Sequence, residues 1–342
     1  MPGLRGAGAR YWGICSVKVC IYGAGAIGGH LAARLAAGGS DVSLVARGPQ
    51  LAALQSRGLT VETPEGVLRS QPVASADPAE LGPQDAVIIT VKAPALPAVA
   101  AGIAPLLRPD TAVIFAMNGV PWWYFDHHGG KLEGHPLPTL DPGGAVRATV
   151  GVDRASAGVV YSSCTVTEPG IVHVADSRHR IVLGRPDGGT PESLARVSAA
   201  LQAGGMHAPI SAEIRREIWM KLAINLSSGP LCMLSGLGCA DTFRSEAVVL
   251  AGTRMTEEAM AIAEATLGRP LDIDMDARIA SAKGMQHKPS ILQDMELGRP
   301  VEVDALFRVP LELARLFNVP TPTLDLVVDL ASQAARARGL LD

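Results

Sequence analysis

Lys221 stands where a lysine could carry acid–base chemistry. In Glu217-Ile-Trp-Met-Lys221-Leu-Ala-Ile-Asn225, the residues Glu217, Lys221 and Asn225 recur every four positions, so they share one face of a helix. Trp219, Leu222 and Leu226 give that helix apolar neighbours. A lysine held against an apolar wall loses hydration, its pKa moves towards neutrality, and it can act as a general acid. The same spacing also suits a surface Glu–Lys pair worth only ~0.3–0.5 kcal/mol. Periodicity alone leaves both readings open.

A second constellation lies two hundred residues upstream. An apolar run from Val17 to Tyr22 stops at Gly23-Ala24-Gly25-Ala26-Ile27-Gly28 and opens an alanine-rich helix to Ala37. Strand, GxGxxG and helix in that order suit a dinucleotide. Gly23 permits the tight turn, Gly25 lets the backbone approach a pyrophosphate, and Gly28 lets helix and strand pack closely. The free N–H groups of the helix start face the anion. The acid that usually holds a ribose 2′-hydroxyl lies ~20 positions beyond such glycines. Here Ala46-Arg47 takes that place, and a guanidinium suits a 2′-phosphate, so NADP(H) is expected over NAD. A plain strand-end arginine is the other reading of Arg47. Lys92 and Asn118-Gly119 each follow a further apolar run. Lys92 is either a cation near the cofactor or a solvated strand end. Asn118 either holds a nicotinamide ribose or substrate oxygen, or simply makes a turn.

These residues need a scaffold. Asp41–Ala46, Ala86–Val91 and Thr111–Ala116 are apolar runs of the kind buried on both faces of a parallel sheet, with helices predicted at Pro49–Arg57 and Ala93–Leu107. The alternation predicts an α/β fold, a doubly wound Rossmann-type sheet whose carboxyl edge carries Gly23–Gly28, Arg47, Lys92 and Asn118. Leu59–Thr63 and Val67–Val73 read as extended pieces, and Gly129–Gly144 as a loop. Ala157–Val166, Gly170–Val174 and His179–Leu183 read as short strands that could extend the sheet in antiparallel fashion. Helical periodicity follows at 191–204, 212–228, 243–267, 272–284, 301–317 and 323–338. The expected organisation is an N-terminal extension over 1–16, an NADP-binding domain over 17–190, and an all-helical substrate and catalytic domain over 191–342.

Composition narrows the functional classes. A 342-residue chain with 48% hydrophobic and 18% charged residues can bury a sizeable core. A formal charge of −3 gives no reason to expect nucleic acid, and no apolar run is long enough for a membrane. Residues 1–16 lack the apolar core of a signal peptide. Five scattered cysteines form no CxxC and suit a reducing cytoplasm. His127, His128, His173 and His179 lack paired ligand spacing, and no metal is expected. The apolar helical region is compatible with a homodimer.

A third stretch, Lys288-Pro-Ser290-Ile-Leu-Gln-Asp294-Met-Glu-Leu-Gly-Arg299-Pro-Val-Glu302-Val-Asp304, sets carboxylates and a serine near a helix start, where capping is the simple reading. Together with Gly23–Gly29, Leu44-Val-Ala-Arg47, Val91-Lys92, Met117-Asn118-Gly119 and Trp219-x-Lys221-Leu-x-x-Asn225, it resembles the ketopantoate reductase (2-dehydropantoate 2-reductase) family from Val17 to about Ala335. The resemblance implies NADPH-dependent reduction of a small 2-oxo acid, ketopantoate, to pantoate. It implies Lys221 as proton donor and Asn118, Asn225 and Ser290 as orienters of substrate oxygens. It also implies that Glu302 positions a hydroxyl of substrate or cofactor. Three substrate-side positions depart from the family pattern, with Gly229, Cys239 and His287 in place of polar, mostly amide, residues. Pro121-Trp-Trp-Tyr-Phe125 and the Gly129–Gly144 insertion could wall the pocket or pack on the helices. The rival expectations are a paralogue that reduces another, bulkier 2-oxo acid or carbonyl compound, and a non-catalytic NADP(H) sensor.

Overall fold

The computed structural model describes residues 16–286 and 288–341. All of the expected 1–16 extension except Ser16, and the departure at His287, lie outside the described residues.

Strand β1 (Lys18–Tyr22) enters helix α1 (Ala26–Ala37), and β2 (Asp41–Val45) enters α2 (Gly48–Arg57). A hairpin of β3 (Leu59–Thr63) and β4 (Gly66–Ser70) precedes β5 (Val73–Ser75). Next come β6 (Ala86–Ile89), α3 (Leu96–Gly102), β7 (Ala112–Phe115), α4 (Ala145–Val150) and β8 (Ala155–Tyr161). Strands β9 (Cys164–Glu168), β10 (Ile171–Val174) and β11 (Arg180–Gly184) follow, then α5 (Glu192–Ala203). The main sheet has the order β11-β8-β7-β6-β1-β2-β5, parallel throughout except for the β11 edge. Strands β6 and β7 are buried along their whole length, which is why they read as unbroken apolar runs. Strand order reverses at β1, so the Gly23 loop and the segment after β6 flank the crevice where such sheets take ligands.

The segments expected to extend this sheet divide between two sheets. Strand β8 joins it in parallel and β11 in antiparallel register. Strands β9 and β10 leave it and pair with the β3–β4 hairpin as a second sheet, β4-β3-β10-β9. Helix α1 lies against both sheets, and Val172 of β10 packs on Gly29 so closely that a methyl there would sit 2.8 Å from its Cγ2. Helix α5 packs on α1 and β6.

The helical assembly is built on α6 (Ile214–Ser235), with α7 (Cys239–Thr242), α8 (Glu246–Leu267), α9 (Met275–Gly284), α10 (Ser290–Glu296), α11 (Val309–Leu316) and α12 (Pro322–Arg336). Helix α6 runs on through Gly229 and Pro230, seven residues past the predicted end. Pro230 has no N–H to give the carbonyl four residues back. Contacts with α8, α10 and α12 surround the helix and outweigh that loss. Before α11, residues Asp304–Arg308 form a short π-helical turn. Such turns gather at functional sites.

Candidate active site

The glycine loop is shaped as its sequence requires. Gly23 has φ +111°, a region L-residues avoid, and a methyl on it would meet Val91 Cγ1 at 2.7 Å. A methyl on Gly28 would sit 2.0 Å from the Gly23 carbonyl oxygen, so α1 packs directly on the turn. Gly25 has open space within 4 Å of the same position. Gly29 is the first helical donor, bonding to Gly25 O at 2.8 Å. The N–H groups of Ala26, Ile27 and Gly28 therefore lack helical acceptors and remain available for an anion. Two residues unmarked in the sequence hold the loop. Thr90 Oγ1 donates to Gly23 O at 2.5 Å, and Gln50 Nε2 donates to Ala24 O at 2.7 Å. Arg47 lies exposed at the end of β2, at the start of α2, with no carboxylate in its place. An open cradle, free donors and a nearby guanidinium fit a nicotinamide dinucleotide.

Across the crevice the segment after β6 meets the helical half. Lys92 Nζ pairs with Asp294 Oδ2 at 2.7 Å and lies 3.4 Å from Pro300 O. The backbone N–H of Ala93 donates to Glu302 Oε1 at 3.1 Å. Glu302 is raised above the usual carboxylate range by burial, which that N–H, Lys92 and Lys221 oppose. Gly119 meets the π-turn so closely that a methyl would fall 2.2 Å from Ala305 O. This contact brings Asn118 and Glu302 to one mouth.

Lys221 faces the same mouth from α6. Its Nζ donates to Val160 O at 2.5 Å and sits 5.7 Å from the Tyr161 ring centre. Burial lowers its pKa from 10.5 to about 8, against the opposing charge of Glu302. Glu217 is turned to Arg180 at 3.8 Å, so the surface Glu217–Lys221 pairing is not the one made. The Tyr161 hydroxyl is pushed up to about 12, first by burial and then by Glu217, and stays protonated. Asn225 is half-buried one turn beyond Lys221, and Ser290 is exposed at the first position of α10, which packs on α6. The side chains of Asn118, Asn225 and Ser290 make no hydrogen bond among the described residues. No sequence pattern marks Asp294, Tyr161 or Val160 as neighbours of these lysines. Their partners lie far away in the chain.

The departures and the insertion have physical answers. Gly229 is covered by Phe307, whose Cζ would sit 3.0 Å from an added methyl, and by Ile291. Cys239 Sγ lies buried 3.7 Å from Cys232 Sγ. Trp123, Tyr124 and Phe125 are fully buried against the helices. Tyr124 Oη bonds Thr266 Oγ1 at 3.0 Å and accepts from Trp219 Nε1 at 2.7 Å. Arg215, in the first turn of α6, donates to the carbonyls of Tyr124, Asp126 and Pro186. Trp122 alone of the four aromatics lines a cavity beside Asn118.

Comparison with known proteins identifies the family. Residues 19–128 match the model for Ketopantoate reductase PanE/ApbA, and residues 213–335 match its C-terminal model. The chain belongs to the ketopantoate reductase family. A 2-dehydropantoate 2-reductase of Mesorhizobium japonicum is 43% identical over 94% of this chain and 99% of its own. A solved structure from Ralstonia solanacearum, assigned as a ketopantoate reductase, shares 39% identity with a TM-score of 0.88 over 95% of this chain and all of that one. The fold alone is shared with a D-mandelate dehydrogenase solved with NADH and anilino(oxo)acetate, at 19% identity and TM-score 0.78 over 94% and 99% of the two chains. The two family segments are the two sides of the crevice: one brings the glycine loop, Lys92 and Asn118, the other Lys221, Asn225, Ser290 and Glu302. It is an oxidoreductase family, and the cofactor is a nicotinamide dinucleotide.

Proposed function

We propose that this chain reduces 2-dehydropantoate to pantoate with NADPH in the cytoplasm, and that Lys221 is its proton donor. The observation that carries the reading is the desolvated lysine, lowered to about 8 in pKa and sensing the charge of Glu302, with Asn225 one turn further along the same helix. Gly23–Gly28 would hold the pyrophosphate, Arg47 the 2′-phosphate, and Lys92 and Asn118 the nicotinamide half. The bound nicotinamide supplies the hydride for the ketone carbon. Lys221, largely protonated at neutral pH, stabilises the ketone oxygen as negative charge builds there and then gives it its proton, leaving a neutral amine that takes a proton back from solvent. Oxidised cofactor and a 2-hydroxy acid result. Asn118, Asn225 and Ser290 orient substrate oxygens, and Glu302 keeps Lys221 charged while holding a hydroxyl. Apolar cover at Gly229, from Phe307 and Ile291, favours a second reading, a 2-oxo acid with no side-chain hydroxyl.

The test is oxidation of NADPH and NADH with ketopantoate and with branched and aromatic 2-oxo acids, for the wild type and Arg47→Ala. NADPH should be preferred by the wild type, and the variant should lose about tenfold or more in kcat/KM for NADPH while NADH is little changed. Failure of every 2-oxo acid would refute the reductase reading, and an NADH preference would refute the role of Arg47.

A further inference from the structure

Glu217 and Lys221 lie one turn apart on α6, with the glutamate on the N-terminal side, the order in which such pairs attract best. Left to the helix alone, the carboxylate would take the ammonium. The structure parts them. Glu217 Oε2 lies 3.8 Å from Arg180 Nη2, whereas Lys221 Nζ donates to Val160 O at 2.5 Å. The sheet builds this separation. Strand β11 runs antiparallel to β8 with Arg180 opposite Tyr161, and the guanidinium carbon sits 5.2 Å from the Tyr161 ring centre. Lys221 Nζ sits 5.7 Å from the centre of the same ring. Both fall within the ~6 Å at which an aromatic face attracts a cation. Tyr161 therefore seats two cations, and the more exposed one faces Glu217. Around the Lys221 ammonium stand Glu217 on its own helix, Arg180 of β11, Tyr161 of β8 and, before the π-turn, Glu302, which in turn senses Lys92 and Asp294. Of these charges only Glu302 acts on Lys221, and Glu217 acts instead on the Tyr161 hydroxyl. This matters for a proton donor. A carboxylate bonded to the ammonium would tighten its hold on the proton and draw Nζ away from the ketone oxygen.

We propose that Arg180 is a positioning residue for the reaction: seated on the Tyr161 ring, it holds Glu217 off Lys221, so that the ammonium keeps to Val160 and stays free for the substrate. The assignment rests on the reductase reading above, in which Lys221 is the proton donor.

The experiment compares wild type, Arg180→Gln, Arg180→Lys and the double variant Arg180→Gln/Glu217→Gln, with NADPH and ketopantoate across pH. The Arg180–Glu217 pair is partly exposed, so its loss should leave the fold intact. In Arg180→Gln the released Glu217 should pair with Lys221. A neighbouring carboxylate favours the charged amine, so the limb on which kcat falls with rising pH should move up by about one pH unit. The kcat at pH 7 should fall about 10–100-fold, with KM for NADPH unchanged. Arg180→Lys keeps a cation on the ring and should stay near wild type. The double variant removes the carboxylate and should restore both the limb and kcat, which the loss of a merely structural contact would not do. An unmoved limb in Arg180→Gln, or a shift that persists in the double variant, would overturn the assignment and leave the reductase reading standing. NMR titration of the same proteins with isotope-labelled lysine needs no substrate, and the Lys221 signal is assigned by its loss in Lys221→Met. The Lys221 pKa should rise in Arg180→Gln and return in the double variant, and an unmoved pKa would refute the assignment. Failure of every 2-oxo acid beside a moved Lys221 signal would overturn the reductase reading and leave the charge arrangement standing.

Discussion

Replacing Lys221 by methionine should make the protein more stable and far less active. Burial takes this lysine from 10.5 to about 8. At about 1.36 kcal/mol per pH unit, keeping it charged costs the fold on the order of 3 kcal/mol at any pH below its folded pKa. The sign follows from proton counts. Between about 8 and 10.5 the unfolded chain still binds the proton and the folded chain has released it. Stability therefore rises with pH through that window, and the cost is gone above it. Methionine keeps an unbranched apolar stem and carries no charge. It also forfeits the bond from the charged Nζ to the Val160 carbonyl, about 1.5 kcal/mol. The net expectation is a variant about 2 kcal/mol more stable than wild type at pH 7, with kcat reduced roughly 10²–10⁴-fold. Urea unfolding of both proteins at pH 7 and pH 10 measures it, and the gap should close or reverse at the higher pH. A variant no more stable than wild type at pH 7, or a gap that does not move with pH, would refute the desolvation argument.

Two further expectations concern the cofactor loop and the charge on Lys221. Gly25→Ala meets open space and should leave the urea midpoint unchanged while weakening NADPH binding in a fluorescence titration. Gly28→Ala drives a methyl against the Gly23 carbonyl and should cost about 1–3 kcal/mol of stability as well; equal stability of the two variants would contradict this packing. Glu302→Gln removes the charge that raises the Lys221 pKa, so the limb on which kcat falls with rising pH should move to lower pH. A pH–rate profile decides it, and an unmoved limb would show that the two groups do not sense each other.

What the sequence made legible was what is encoded locally. The runs at Ala86–Ile89 and Ala112–Phe115 announced buried parallel strands because burial on both faces leaves no polar positions. Glycine spacing announced the dinucleotide turn because two of its demands are local: Gly23 takes a φ of +111°, and Gly28 packs on the Gly23 carbonyl five residues back. The destination of β9 and β10 was not legible. Their alternation says strand, but pairing of Ile171 with Thr60 is a relation between segments over a hundred residues apart. The spacing at Lys221 gave the helix face and left its partner open, since Arg180 draws Glu217 away from outside the helix. The run Trp122–Phe125 looked alike at every position. Only Thr266 and Trp219 on the helices show that Tyr124 is structural, and only the cavity sets Trp122 apart.

The fastenings of the crevice are unequal. At the back, Arg215 grips three carbonyls and the Tyr124 hydroxyl is bonded on two sides, all of it in buried or half-buried surroundings. At the front, Lys92 is 41% exposed and pairs with Asp294, whose side chain is only 12% exposed, so losing the lysine would leave a largely buried carboxylate uncompensated. The two halves are thus held by a clamp of carbonyls at Arg215 on one side and by a single ammonium neutralising a carboxylate on the other. The Asp294 carboxylate ties Lys92 to the helical half, so any anion drawn to this ammonium competes with a largely buried carboxylate.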